Sequence, residues 1–265
     1  MKWSNEYRVH YYYTDYNNIL KPAYAARYMQ ETAWNALKNW GPTPDYLHER
    51  NLAFILTKMS FRYYEEVRED DMIKVETWAN PAKTIIFPRH YRIYKGDKIT
   101  IEATSEWVLF DTKEKNIIRP DDYKEVLTAY DEEELTFTVQ KRIKIPEKID
   151  ISDVLAEYTV TYSDIDTNFH MNNARYIDLI CDNLYFADDT ISPTLKKRIV
   201  SLDINYSGEA RFAQIIAINK GKMLFEDDKT GIKTEEHYIK AKIKNGEQNC
   251  FEAKIVLANQ NKGGK

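Results

Sequence analysis

One order of predicted elements occurs twice along the chain. A long helix with Pro22 in its first turn and Gly41 just past its end belongs to the first copy, and a helix starting near residue 173 belongs to the second. Strands are predicted at Glu6 to Tyr13, Leu56 to Tyr64, Met72 to Trp78, Ile85 to Tyr94 and Ile99 to Asp111, and again at Tyr158 to Tyr162, Ser201 to Tyr206, Gln214 to Asn219, His237 to Lys244 and Cys250 to Ala258. A helix combined with antiparallel strands is an α+β unit, so the sequence predicts one such unit used twice.

Short segments of the two copies match. Ala26-Arg27-Tyr28 recurs as Ala174-Arg175-Tyr176, and hairpin turns are predicted at both Gly96 and Gly246. These matches predict a pseudo-symmetric pair made of a first domain at residues 1–130, a linker at 131–155 and a second domain at 156–265. The linker contains the run Asp131-Glu132-Glu133-Glu134, which is charged and weakly periodic, as connecting segments are.

Two local features carry finer predictions. An apolar stripe on the first helix is predicted from its spacing of three and four, at Ala26, Met29, Ala33, Leu37 and Trp40. Pro88 lacks a backbone N–H, so its strand is expected at a sheet edge or a bulge.

Composition excludes several classes of protein. The net charge is -4 and no long Lys/Arg-rich stretch occurs, which argues against nucleic acid as a partner. No apolar stretch is long enough to cross a membrane, and the N-terminus lacks the apolar run of a signal peptide, so a cytoplasmic location is expected. The two cysteines predict no disulfide framework, no Cys/His spacing indicates zinc, and no Gly-rich loop indicates a nucleotide. We therefore expect neither a cofactor nor a metal.

The stretch before the second helix alternates in polarity. Asp164, Asp166, Asn168, His170 and Asn172 occupy every second position. In an extended segment such side chains point the same way, so a carboxylate, an amide and an imidazole would share one face. One of the asparagines at 172 and 173 is expected to cap the helix, whose unpaired backbone N–H groups would polarise a carbonyl.

Two other interpretations fit part of this stretch. A capped loop rich in Asp, Asn and Ser commonly precedes a helix without any further role. A calcium loop would use the first three polar positions as ligands, but Phe169 and Arg175 stand where it needs Gly and Glu. When the copies are aligned on their helices, Asp166, Asn168 and His170 fall opposite Asn18, Leu20 and Pro22. This asymmetry predicts one active site in the second domain, with the first domain as a non-catalytic scaffold and wall of a ligand pocket.

The polar stretch resembles a known motif. Asp166-Thr-Asn168-Phe-His170-Met-Asn172-Asn173 resembles the Asp-x-Asn-x-His-x-Asn-Asn motif of the acyl-acyl-carrier-protein thioesterases of bacteria and plant plastids. Further matches are Met29-Gln30-Glu31-Thr32-Ala33, Val75-Glu76-Thr77-Trp78 and Glu106-Trp107-Val108. The resemblance implies a double hotdog fold, in which each antiparallel sheet wraps around a long helix. It also implies hydrolysis of fatty acyl-acyl carrier protein in fatty acid biosynthesis.

The resemblance further implies a catalytic set. It consists of Asp166, Asn168, His170 and Glu209, the last from the match of Tyr206-Ser-Gly-Glu209 to the family's Tyr-x-x-Glu. Plant members often have Cys after that Glu, but this chain has Ala210, so water is the expected nucleophile. Either Glu209, or His170 with help from Glu209, is expected to deprotonate the water. Asn168 is expected to position the water or the carbonyl oxygen, and Asp166 to orient the Asn and the His.

The implied partner is acyl carrier protein with its phosphopantetheine-linked acyl chain. Because that protein is acidic, Lys196-Lys197-Arg198 and Arg175 are candidates for a basic docking patch. An acyl-CoA thioesterase, a hotdog dehydratase and a non-catalytic acyl-binding protein remain alternatives. A homodimer of the fused pair is also open at this level.

Overall fold

The computed structural model describes residues 1–120, 130–138, 142–149, 151, 153–185, 197–226, 233–246 and 248–259. The chain divides into two compact units, Met1–Val139 and Gln140–Lys265. Each unit combines one main helix with an antiparallel sheet, so the predicted α+β class is confirmed. Within these ranges no helix has both the length and the apolar character needed to span a bilayer.

The first unit contains a five-stranded antiparallel core sheet. Its strand order is β1-β3-β4-β5-β2, and the short β6 pairs with β5. The strands are β1 (Trp3–Arg8), β2 (Leu52–Tyr63), β3 (Met72–Ala79), β4 (Phe87–Lys95), β5 (Lys98–Asp111) and β6 (Asn116–Ile118), and the helices are α1 (Pro22–Trp40) and α2 (Pro44–Glu49). The sequence interpretation missed α2 and β6, which are too short to show a period.

The second unit repeats this plan. Its strand order is β8-β11-β10-β9-β7, and all pairs are antiparallel. The elements are β7 (Val154–Thr159), α3 (Asn173–Tyr185), β8 (Lys197–Tyr206), β9 (Ile215–Glu226), β10 (Lys233–Ile243) and β11 (Asn249–Asn259). Ala174, Ile177 and Leu184 of α3 are buried, as its apolar period requires.

The buried face of α1 is rotated from the predicted stripe. Ala26 and Met29 are buried, but Trp40 is 36% exposed, and the polar Thr32 is fully buried. Thr32 can be buried because its hydroxyl donates to the Tyr28 carbonyl oxygen at 2.8 Å and lies 3.0 Å from the Tyr7 hydroxyl. Thr32 therefore occupies a core-facing position of α1, because its hydroxyl is hydrogen-bonded. A prediction from hydrophobic residues alone leaves a threonine out of the buried face.

Two strand predictions were wrong in detail. The first strand ends at Arg8, and Tyr11–Tyr13 form a 3-10 turn; in the second unit Tyr162–Asp164 form another. Pro88 lies within β4, which pairs with both β3 and β5 and is neither an edge strand nor bulged there. Since the last β3 pair joins Ala79 to Arg89, the missing N–H of Pro88 falls beyond the end of β3.

Part of the predicted linker packs on the sheet of the first unit. The Asp131 N–H donates to the Ala79 carbonyl oxygen at 2.8 Å, and the Trp78 indole N–H donates to the Glu133 carbonyl oxygen at 2.8 Å. Arg92 forms an ion pair with Glu133 and, at 2.8 Å, with the fully buried Glu102. Residues 131–138 are thus held by specific contacts within the first unit.

Candidate active site

The loop before α3 is anchored by a buried carboxylate. Asp164 is 1% exposed, and its side chain accepts hydrogen bonds from the Thr161 N–H at 2.7 Å and the Tyr158 hydroxyl at 2.8 Å. Arg175 on α3 donates to it through Nε at 2.8 Å. Burial raises the pKa of the Asp164 carboxyl, but the hydrogen bonds from Thr161, Tyr158 and Arg175 outweigh burial and hold the pKa below its ordinary value. Asp164 is therefore an ionised tie between the loop and the helix.

Asp166 closes the turn that carries the next polar residues. Its Oδ1 accepts the Asn168 backbone N–H at 2.9 Å, its carbonyl oxygen accepts the Phe169 N–H at 3.0 Å, and its own N–H donates to the His170 carbonyl oxygen at 3.1 Å. Its Oδ2 accepts from the Asn172 side chain at 3.2 Å. Asp166 was predicted to orient Asn168 and His170, and its contacts to them are with their backbones.

These contacts overturn the extended geometry predicted for the polar stretch. A 3-10 turn is followed by a tight loop closed by a bridge between Ile165 and Met171, with Phe169 in the left-handed region at φ 62°. The alternating side chains therefore do not share one face: Asp164 is buried and Asn168 is exposed. Side-chain hydrogen bonds of Asp, which an alternation pattern ignores, shape this loop.

His170 and Glu209 lie close together, as their assignment to one site requires. His170 Nε2 lies 3.7 Å from Glu209 Oε1, and the His170 Nδ1 lies 3.3 Å from the Met171 carbonyl oxygen. A proton on Nδ1 donated to that carbonyl leaves the Nε2 lone pair on the side of Glu209. Glu209 is about half exposed, so the pair opens to solvent.

Ala210 connects the two segments that carry this pair. Its carbonyl oxygen accepts the Met171 N–H at 2.8 Å, and its N–H donates to the Tyr176 hydroxyl oxygen at 2.9 Å. Tyr176 is 2% exposed and packs edge-on against Tyr206 and Phe251. Burial raises the pKa of Tyr176, so its hydroxyl stays neutral. A buried aromatic residue on α3 thus positions the residue next to Glu209.

Asn168, two residues before His170, presents an exposed side chain. Among the described residues its amide has no intramolecular partner, while its backbone N–H is held by Asp166. The amide is therefore available to a bound molecule.

The start of α3 differs from expectation. Asn172 caps the helix as predicted, since its Oδ1 accepts the Ala174 N–H at 2.9 Å, and its carbonyl oxygen accepts the Arg175 N–H at 2.9 Å. Those two N–H groups are satisfied inside the cap and cannot also hold an oxyanion. An asparagine cap uses the donors that the sequence interpretation reserved for the substrate.

The predicted basic docking patch also changes. Arg175 is held by Asp164 and by Asp178 at 2.6 Å, so it is a positioning residue. Lys197 pairs with Glu235 at 2.6 Å, and Lys196 lies outside the described residues. Intramolecular carboxylates therefore already neutralise two of these cations.

The first unit contains a loop with the same backbone. The 3-10 turns begin at Tyr11 and Tyr162, the left-handed residues are Asn18 and Phe169, and the helices begin at Pro22 and Asn173, an offset of 151 residues each time. The counterparts of Asp166, Asn168 and His170 are therefore Asp15, Asn17 and Ile19, and the alignment with Asn18, Leu20 and Pro22 was wrong. It failed because the Ala-Arg-Tyr match lies three residues out of register with the loops.

Asp15 makes the same turn contact as its counterpart. Its Oδ1 accepts the Asn17 N–H at 2.8 Å. The Leu20 N–H donates to the Val67 carbonyl oxygen at 2.8 Å, as the Met171 N–H does to that of Ala210. Val67 and Ala210 are therefore equivalent, and Glu66 is the counterpart of Glu209. Of the four predicted site residues, the first unit lacks only the histidine.

The sequence interpretation missed the structural roles of three residues at this site: Tyr176 had no role, Arg175 was assigned only to a docking patch, and Asp164 was not recognised as a buried anchor. Thr161 and Asp164 have the spacing of a capping box, which the structure forms, so the anchor had a readable signal. Tyr176 had none, because its partner Ala210 is distant in sequence. Among the residues that the structure describes, no group of three His, Cys, Asp or Glu side chains could hold a metal.

Comparison with known proteins defines the class. The model of the acyl-ACP thioesterase N-terminal domain matches residues 1–127, and that of the C-terminal domain matches residues 146–256. The chain therefore belongs to the acyl-ACP thioesterase family.

Solved structures share the fold. An acyl-ACP thioesterase from Bacteroides thetaiotaomicron is 20% identical with a TM-score of 0.77, and the match covers 97% of each chain. The 12:0-ACP thioesterase from Umbellularia californica is 15% identical with a TM-score of 0.75, covering 98% of this chain and 94% of that one. The predicted double hotdog fold is confirmed.

Curated relatives match over part of their length. The chloroplastic palmitoyl-acyl carrier protein thioesterase of Arabidopsis thaliana is 25% identical over 170 residues, which are 59% of this chain and 40% of the relative. A chloroplastic acyl-[acyl-carrier-protein] hydrolase of Cuphea viscosissima is also 25% identical, over 169 residues, with the same two coverages. The chain thus spans about 40% of the length of these relatives.

Proposed function

We propose that the protein hydrolyses the thioester of fatty acyl-acyl carrier protein, releasing a free fatty acid and the carrier thiol. The observation that carries this proposal is the approach of His170 Nε2 to within 3.7 Å of Glu209 Oε1, in a chain of the acyl-ACP thioesterase family. The names of the relatives support the substrate class, because they are acyl carrier protein hydrolases and thioesterases.

The proposed reaction uses water as nucleophile. A water molecule that binds beside both His170 and Glu209 gives its proton to Nε2, while the Glu209 carboxylate stabilises the imidazolium that forms. The water oxygen attacks the thioester carbonyl carbon, and the exposed Asn168 amide donates to the carbonyl oxygen as it gains charge. The C–S bond then breaks, and the imidazolium returns the proton to the leaving thiolate. Atoms balance as one water consumed, one carboxylic acid and one thiol released.

Cysteine does not enter this scheme. Cys250 is buried, and burial raises the pKa of its thiol to about 11, so it carries almost no thiolate at neutral pH. Ala210 follows Glu209 where plant members often have Cys. A water mechanism requires neither group.

The test measures thiol and free-acid release from acyl carrier protein thioesters of graded chain length and from matched CoA thioesters. We expect His170→Ala to lower kcat by about 10³-fold and Glu209→Gln by about 10²-fold, because the first removes the base and the second only its stabilising charge. Glu66→Gln in the first unit is the matched control, and its kcat should equal that of the wild type.

Each contrary result identifies a different error. Folded wild-type protein that releases no thiol from either series contradicts the hydrolase proposal and leaves an acyl-binding protein or a dehydratase. Faster hydrolysis of CoA thioesters than of carrier-protein thioesters would show that acyl-CoA is the preferred substrate. A larger loss for Glu209→Gln than for His170→Ala moves the base to Glu209.

A further inference from the structure

Phe169 occupies a backbone conformation that its side chain disfavours. Its φ of 62° lies in the left-handed region, where a bulky residue is strained and Asn or Gly is preferred. The equivalent residue of the first unit, at φ 63°, is Asn18. The loop fold itself therefore accepts the favourable residue type, and the phenylalanine needs another explanation.

Packing does not supply that explanation. The Phe169 side chain is 83% exposed, so its ring is not part of the hydrophobic core. An exposed ring at a strained position stabilises neither the local backbone nor the fold.

The position of Phe169 relative to the site is well defined. It directly precedes His170, and its N–H donates to the Asp166 carbonyl oxygen at 3.0 Å within the turn. Asp166 also holds the residues on both sides, through the Asn168 N–H and the His170 carbonyl oxygen. The exposed ring is thus carried by a loop whose backbone is held at three successive residues, directly before His170 in the chain.

A thioester that reacts at this pair has an acyl chain on one side of its carbonyl and a thiol arm on the other. The arm leads back to the soluble carrier, so it must leave the pair on the solvent side. A pantetheine arm carries methylene groups, a gem-dimethyl group and two amides, and its apolar parts gain by covering an exposed aromatic ring.

We infer that Phe169 is a substrate-contacting residue whose ring packs against the pantetheine arm of the thioester. This inference rests on the proposed thioesterase function. The contact turns an exposed, strained residue into a binding surface next to the catalytic histidine, and it acts on every substrate that carries the arm.

The test substitutes the residue type of the first unit, Phe169→Asn, and measures steady-state kinetics with acyl-carrier-protein, acyl-CoA and acyl-pantetheine thioesters. We expect KM to rise at least about fivefold for all three substrates, because the buried ring area is lost, while kcat is unchanged. We also expect the melting temperature to rise by about 2–4 °C, because the left-handed strain is relieved. A gain in stability with a loss of binding is a result that a purely structural role would not produce.

Three variants serve as controls. Phe169→Tyr keeps the ring and should retain the wild-type KM. Asn18→Phe places the same strain in the first unit and should lower the melting temperature without changing the kinetics. Tyr162→Ser removes an equally exposed ring from the start of the same loop and should leave KM unchanged.

Several outcomes would overturn the inference. An unchanged KM in Phe169→Asn would show that Phe169 does not contact the substrate. A KM increase confined to the carrier-protein substrate would show that Phe169 contacts the surface of the carrier protein and not the pantetheine arm. A fall in kcat at constant KM makes Phe169 a positioning residue for His170. If the folded wild-type protein hydrolyses none of the substrates, both the proposed function and this inference are contradicted. If the wild type is active and Phe169→Asn has the wild-type KM, only the inference about Phe169 is contradicted.

Discussion

The loops before α1 and α3 have the same hydrogen-bonded backbone but different side-chain chemistry. In both loops an aspartate accepts the N–H two residues on, a left-handed residue follows, and the chain then enters a helix. The tie between loop and helix differs: Tyr13 stacks on Tyr24 at 4.4 Å in the first unit, whereas Asp164 pairs with Arg175 in the second. These two pairs occupy equivalent positions at the offset of 151 residues.

This comparison separates residues that build the loop from residues that are available for chemistry. Asp166 and the backbone of Asn168 have counterparts in Asp15 and Asn17, so a turn-forming role accounts for their presence in both units. His170 has no polar counterpart, since Ile19 stands in its place. The histidine is therefore the residue whose presence the loop fold does not explain.

The largest effect is expected from breaking the Asp164–Arg175 ion pair of the second unit's loop. Asp164→Asn should lower the free energy of unfolding by about 3 kcal/mol at pH 7, because it removes the buried negative charge that Arg175, Thr161 and Tyr158 hold and leaves Arg175 with Asp178 alone. The folded-state pKa of Asp164 lies below the unfolded value of about 4, so the stability from its ionised form is present above about pH 4. As pH falls through the lower folded-state pKa that stability is lost, and the difference between variant and wild type should shrink.

Urea unfolding at neutral and acidic pH measures this difference. Tyr13→Phe, at the equivalent position of the first unit, is the control, because a stacked ring carries no charge and its effect should not depend on pH. An Asp164→Asn effect of constant size across the acid range would contradict the assignment of an ionised tie.

A smaller effect is expected from removing either of the turn-forming aspartates, Asp15 and Asp166. Asp15→Ala and Asp166→Ala should each lower the free energy of unfolding by about 1–2 kcal/mol, since each removes the side-chain acceptor of at least one backbone N–H in its turn. Only Asp166→Ala should lower kcat, because only its loop carries the histidine that we propose as the catalytic base. Thermal unfolding and thioester hydrolysis measured side by side check this, and an equal loss of kcat in both variants would refute the division of roles.

The smallest effect concerns the helix caps. Asn172→Ala should destabilise the protein by about 1 kcal/mol, because its side chain caps α3. Lys21 precedes α1 and makes no side-chain cap, so Lys21→Ala should change stability by less than about 0.5 kcal/mol. Equal melting temperatures for the two variants would show that the Asn172 cap contributes nothing to stability.

Much of the fold could be predicted from local signals. The helix at Pro22–Trp40, the hairpin turns at Gly96 and Asn245-Gly246, and the Asn172 cap follow from residue types that set backbone geometry within a few residues. The strand ends near Tyr11 and Tyr162 could not, because the aromatic residues there have strand propensity while hydrogen bonding makes them 3-10 turns. The burial of Thr32 likewise depends on Tyr7 and Tyr28, one of which is distant in sequence.

The site divides in the same way. The motif around His170 and the match at Glu209 were readable, since residue identity and spacing are local properties. The approach of these two side chains depends on Ala210, whose backbone bonds to Met171 and Tyr176 link segments more than thirty residues apart. The cytoplasmic location, the homodimer and the scaffold role of the first domain stay predictions.

By itself the sequence determined that two α+β units occur in tandem and that only the second carries a histidine in its loop. The tertiary structure decided which residues correspond between the loops, and that Asp164 and Arg175 hold the site together rather than form it. It also showed that the cap uses the N–H groups expected to bind an oxyanion. The physical reason is that residue types and their spacing are local properties of the sequence. Hydrogen-bond partners, by contrast, are determined only when distant segments pack together and each buried donor and acceptor must find a partner.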